Sequence, residues 1–158
     1  KPMNDTGGSH SMTRSKLREH CFKMLFCADF HPAEEKEEQL DLYFQEPSED
    51  DTTTEGKELI VHSVTMNPEE EAYLKKRTED VMSKIPQLDE KINEVAEGWK
   101  TKRMGKAELT ILRLAAYEIL FDQEIPDKVA INEAVELGKK YGGSEAPAFI
   151  NGILAKLV

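Results

Sequence analysis

The sequence predicts an all-α fold of about seven helices packed around a central apolar helix at residues 109–120. Three observations carry this. Apolar residues recur at spacings of three and four along most of the chain, and β-type alternation is nearly absent. One segment, Lys106 to Phe121, is apolar on almost its whole circumference, as a buried central helix is. Helix punctuation then divides the chain at Asn67-Pro68, Pro86, Pro126 and Gly142-Gly143.

The elements follow in order. Lys1 to Ser11 is polar, Gly/Ser-rich and aperiodic, and reads as a disordered foreign remnant ahead of a natural start at Met12. Residues 12–158 read as a single helical domain. Thr13 is a candidate N-cap, and Leu17, Cys21, Met24, Leu25 and Ala28 line one face of a first helix. After Pro32, Leu40, Tyr43 and Phe44 support a short second helix inside an acidic segment, 34–66. Pro47 to Gly56 reads as a polar loop, and residues 57–66, where Leu59-Ile60-Val61 fits a strand or a helix turn, are read as helix. Asn67-Pro68-Glu69 starts a helix with a cap, a first-turn proline and dipole-favoured acids. Leu74, Val81, Met82 and Ile85 continue its face to Pro86, and Leu88, Ile92, Val95, Ala96 and Trp99 repeat the spacing. Pro126 opens the next helix, and Gly142-Gly143 offers a left-handed end. Ser144 is the expected cap of a last helix bearing Phe149, Ile150, Ile153, Leu154 and Leu157. Gly152 in that helix reads as a point of close helix packing.

Net charge is −10, which argues against indiscriminate nucleic-acid binding. The charge is unevenly placed. Residues 34–55 hold ten acids and one base, Lys36, so this stretch carries −9 and the rest of the chain only −1. A local basic patch is therefore compatible with the total. Two clusters qualify. Arg14, Lys16, Arg18 and Lys23 lie on the first helix beside one acid, Glu19; Lys100, Lys102, Arg103 and Lys106 precede and open the central helix. Composition leaves both open as nucleic-acid contacts or ordinary solvated surface.

No phosphate loop, dinucleotide fingerprint, zinc-protease motif or nucleophile elbow occurs, so an enzyme is not expected. Cys21 and Cys27 are too few for a disulfide framework or an all-cysteine zinc site, and they fall on different sides of one helix. No cofactor or metal is expected. No apolar run reaches membrane-spanning length. With sparse cysteine and no export pattern after Met12, the cytoplasm is the default location.

The second half carries a specific likeness. Gly105, then Ile111-Leu112-Arg113-Leu114-Ala115-Ala116-Tyr117-Glu118-Ile119-Leu120, Ile125-Pro126, Val129-Ala130-Ile131-Asn132-Glu133-Ala134-Val135-Glu136-Leu137 and Phe149-Ile150-Asn151-Gly152-Ile153-Leu154 resemble the NusB family of transcription antitermination factors. The opening Arg14-x-Lys16-x-Arg18-Glu19, followed by Leu25-Phe26, is similar to that family's basic first helix. The likeness covers residues 13–30 and about 69–157; the acidic segment 34–66 departs from it. It implies two small helical bundles. It also implies binding of boxA-type single-stranded RNA together with the ribosomal protein NusE, and joining of the RNA polymerase elongation complex with other Nus factors during ribosomal RNA transcription.

Carried over by position, Arg14, Lys16, Arg18, Glu145 and Phe149 are the implied RNA-binding residues. Phe26 and Glu108 are the implied partner-binding residues. The family often has Asp at the position of Glu145 and Tyr at that of Phe26. Phe149 read without the likeness is equally a core aromatic, and Glu108 equally a dipole-favoured first-turn acid. Two alternatives of other classes stand beside this reading. One is a protein-only helical interaction or dimerisation module. The other is an accessory domain like that fused to ribosomal RNA cytosine methyltransferases. Monomer and homodimer are both open.

Overall fold

A computed structural model describes residues 12–44, 66–98 and 100–158. Over these residues the chain forms seven α-helices and one short 3-10 turn, with no strand. The helices are α1 (Arg14–Ala28), α2 (Ala33–Tyr43), α3 (Pro68–Ser83), α4 (Ile85–Val95), α5 (Lys106–Phe121), α6 (Asp127–Tyr141) and α7 (Ala146–Ala155). The 3-10 turn is Thr101–Arg103. The remnant reading of residues 1–11, the loop at 47–56, most of the turn at 57–66 and Trp99 lie outside the described residues. The chain divides into two compact units, with the boundary inside α3 between Lys76 and Arg77.

In the first unit, α1 begins as expected: Thr13 Oγ1 accepts the Lys16 backbone N–H at 3.0 Å. Its apolar face buries Cys21, Phe22, Met24, Leu25 and Ala28, and α2 packs on it through Leu40. The α1 end is closed by a cation rather than a glycine. Lys36 Nζ donates to the carbonyls of Ala28, the last residue of α1, and His31, just beyond it, at 2.7 and 2.8 Å. The His20 Nδ1 and the Tyr43 hydroxyl are hydrogen-bonded at 2.6 Å. At the start of α3, Asn67 Oδ1 accepts the Glu70 N–H at 2.8 Å, and Glu70 Oε1 accepts the Asn67 N–H at 3.2 Å. This reciprocal box fixes the helix start that the Asn67-Pro68 pair signals.

In the second unit α5 is central and packs on α4, α6 and α7. Leu109, Ile111, Leu112, Leu114, Ala115, Ala116 and Tyr117 are all buried, on several sides of the helix, as its all-round apolar character predicts. Its last turn departs from that expectation. Leu120 and Phe121 are 37% and 41% exposed. Arg113 ties α5 to α4 by two parallel bonds to Asp89, both 2.8 Å.

A second link joins α3 to α5. The Tyr117 hydroxyl donates to Asp80, Arg77 pairs with Asp122 at 2.6 Å, and the Arg77 guanidinium lies 5.0 Å from the Tyr117 ring centre. Burial, together with the bond to Asp80, pushes the Tyr117 hydroxyl up to about 12.

Three local expectations are corrected at the α6–α7 junction. Gly142 is extended, not left-handed, and among the described glycines only Gly98 has a positive φ, +80°. Glycine at 142 is required by space: a Cβ there would overlap that of Ala146 and lie 3.0 Å from the Gly138 carbonyl oxygen. Ser144 does not cap α7. Glu145 occupies the cap position, with no side-chain cap bond, because a turn from Ala146 N–H to the Gly143 carbonyl already closes the loop. Gly152 faces open space, and close packing falls instead to Gly138, where a Cβ would stand 2.8 Å from Ile150 Cδ1.

Candidate nucleic-acid and partner interfaces

The residues implied for RNA fall into both units. Arg14, Lys16 and Arg18 occupy the first turns of α1, where the Thr13 cap sets the helix phase. Arg14 and Arg18 are one turn apart on one face. Arg14 is exposed and forms no ion pair with a described residue. Lys16 is partly exposed and lies 3.6 Å from Glu19. Arg18 is half-buried. The three bases thus differ: Arg14 is wholly available to an anion, whereas Lys16 is shared with a neighbouring acid.

Phe26 lies two turns further along α1 and is half-buried. It is the middle of an aromatic ladder. The Phe22 and Phe26 rings are 5.9 Å apart and stacked, and the Phe26 and Phe30 rings meet edge to face at 5.3 Å. Phe22 is buried and Phe30 is 61% exposed, so the ladder runs from core to solvent. Phe30 is absent from the sequence-derived site. Its signal was present as the four-residue spacing of Phe22, Phe26 and Phe30.

In the second unit, Glu108, Glu145 and Phe149 gather where three helix ends converge: the starts of α5 and α7 and the end of α6. Glu108 sits in the first turn of α5 and curls back toward the N-cap residue Gly105, the favourable position for an acid on the helix dipole. Its other oxygen lies beside Gly142. Glu145 is exposed at the α7 cap position. Phe149 is one turn on, its N–H bonded to the Glu145 carbonyl at 3.1 Å, and it is half-buried. It is neither a fully enclosed core residue nor a free ring. The missing Cβ of Gly142 lets α7 start close against α6, and this sets the positions of Glu145 and Phe149.

The second basic cluster also belongs to this unit. Lys100, Lys102, Arg103 and Lys106 are all exposed, on and beside the 3-10 turn. No helix among the described residues is long and apolar enough to cross a membrane.

Comparison with known proteins places this geometry in context. The NusB family profile matches residues 15–158. A transcription antitermination protein NusB from Lachnoclostridium phytofermentans is 45% identical over 147 residues, covering 93% of this chain and 99% of that protein. One from Clostridium botulinum (strain Kyoto) is 36% identical, covering 93% and 100%. Among solved structures, T. maritima NusB superposes with a TM-score of 0.74 at 26% identity, covering 94% of this chain and 92% of that one. A chain from a complex of the antitermination factors NusB and NusE with double-stranded RNA superposes with a TM-score of 0.64 at 23% identity, covering 92% and 97%.

Proposed function

Because the chain belongs to the NusB family, we propose that it is a transcription antitermination factor. It binds boxA-type single-stranded RNA together with the ribosomal protein NusE, and the pair acts on elongating RNA polymerase during ribosomal RNA transcription. The family match across residues 15–158 carries this reading. The role is one of binding, exercised in the cytoplasm, and needs no catalytic group.

The chemistry of the site supports it. Basic side chains on the first turns of α1 supply the salt-sensitive phosphate term. Phe149, half-buried near the start of α7, keeps ring surface on which an unpaired base stacks. Phe26 and its exposed neighbour Phe30 offer apolar surface to a protein partner. Asp29, just before the last ring of this ladder, and Glu34 and Glu35, after it, favour a basic partner such as a ribosomal protein.

The test is the salt dependence of RNA binding. Three phosphate contacts on a single strand contribute about −2 to the log–log slope. In the chain carrying Arg14→Ala, Lys16→Ala and Arg18→Ala that contribution is lost and the slope flattens by about 2. An unchanged slope and affinity in that variant removes the first helix from the RNA site.

A further inference from the structure

Many basic side chains in this acidic molecule are engaged by acids. Lys16 pairs with Glu19, Lys75 with Asp41, Arg77 with Asp122, Arg113 with Asp89, Lys139 with Glu136 and Lys156 with Glu97. The 3-10 turn between α4 and α5 gathers bases that are not. Lys102 and Arg103 are exposed, and neither forms an ion pair with any described residue. Lys100 is also exposed, and its only described bond is a long one, 3.5 Å, to the Asn93 carbonyl. From Lys100 to Ala107 the chain contains four bases and no acid. In a chain of net charge −10, such a run is a local concentration of positive charge, bordered on the Lys100 side by Glu90 and Glu94 of α4.

The turn is also held in place. The Asn93 side chain on α4 accepts the Thr101 N–H at 2.8 Å and approaches the Thr101 hydroxyl at 3.4 Å. Thr101 itself is buried, so the backbone is anchored on α4 while Lys102 and Arg103 project outward. A fixed backbone lowers the ordering entropy needed to present these charges to an anion.

We propose that Lys100, Lys102 and Arg103 form a second contact for RNA phosphates, separate from the α1 residues and gripping the strand without reading its sequence. This rests on the proposed RNA-binding function and extends it. The ligand is the backbone of a single-stranded RNA. Lysines offer point charges and Arg103 a fork matched to phosphate oxygens.

The test uses the full chain and a boxA-type RNA flanked on both sides by uridine tracts. Three proteins are compared: the unmodified chain, the K100A/K102A/R103A variant and the R14A/K16A/R18A variant. Loss of three phosphate contacts in the turn lowers the log–log salt slope by about 2, so the ratio of affinities at 50 and 200 mM salt falls roughly 20-fold. The charge-preserving K100R/K102R/R103K chain keeps the full slope. Melting temperatures stay level, since the altered side chains are exposed. If the turn variant keeps the slope while the α1 variant flattens it, the second contact is refuted and the RNA-binding reading survives. If neither variant changes the slope, both fall together. If the turn variant keeps its RNA slope and loses NusE affinity, the turn is a protein contact and the proposal is overturned.

Discussion

Replacing Gly142 with Ala tests how the end of α6 positions α7. The added Cβ overlaps that of Ala146 and lies 3.0 Å from the Gly138 carbonyl oxygen, both of them backbone-fixed atoms. No flexible side chain is available to yield, so α7 must move away from α6. Overpacking of this kind costs about 1–3 kcal/mol. Stiffening of the unfolded chain returns about 0.4–1 kcal/mol, because the extended conformation of residue 142 is open to alanine. The net loss is about 1–2 kcal/mol, or a fall in Tm of roughly 2–8 °C for a domain of this size. Gly152→Ala is the opposite case. That glycine lies in a helix and faces open space, so alanine stabilises by about 0.5–1 kcal/mol. Thermal melts of the two variants therefore split in sign around the unmodified chain. Gly142→Ala also displaces Phe149 and weakens RNA binding, whereas Gly152→Ala does not. Melting temperatures that rise together would refute the close approach at the α6–α7 corner.

Three further outcomes are expected. Phe149→Ala weakens RNA binding by about 1–3 kcal/mol while lowering stability by less than the roughly 3–5 kcal/mol of a fully buried phenylalanine; RNA titrations and thermal melts on the same preparation separate the two. Glu108→Lys weakens NusE binding in calorimetric titration. Glu108→Gln, which keeps the shape folded back toward Gly105, distinguishes loss of charge from loss of the α5 start, and wild-type affinity in both removes Glu108 from the interface. Tyr117 ionises near pH 12 instead of 10. Its folded value lies above the unfolded one, so its stabilising contribution is complete below pH 10 and is lost as pH rises through about 12; alkaline ultraviolet titration in which all four tyrosines ionise together near 10 would contradict this.

What the sequence revealed follows from what is local. The Thr13 cap, the start of α3 at Asn67-Pro68, the full extent of α5 and the start of α6 after Pro126 all depend on neighbours within one or two turns, and each appears where expected. The misses are matters of space. Whether Gly142 or Gly152 is the close-packed glycine depends on which face of α7 meets α6, and periodicity does not give that. Ser144 has the chemistry of a cap, but the chain turns one residue later. The link among Arg77, Asp80, Tyr117 and Asp122 spans 37 and 45 residues, beyond any sequence window. At the candidate site the residue types were legible from the likeness, but their availability was not. Arg14 being without an ion pair and Lys16 being shared with Glu19 became visible only in three dimensions, as did the exposed end of the Phe22–Phe26–Phe30 ladder.

The central claim is that this chain and NusE bind RNA as a pair. Fluorescence anisotropy of a labelled boxA-type RNA, titrated with the chain alone, with NusE alone and with both, tests it most directly. The account predicts weak, salt-sensitive binding by the chain alone and a tightening of about 5–150-fold when NusE is present, the range of ordinary coupling energies. Equal RNA affinity with and without a NusE that demonstrably binds the chain, or no RNA binding by the mixture, would contradict it.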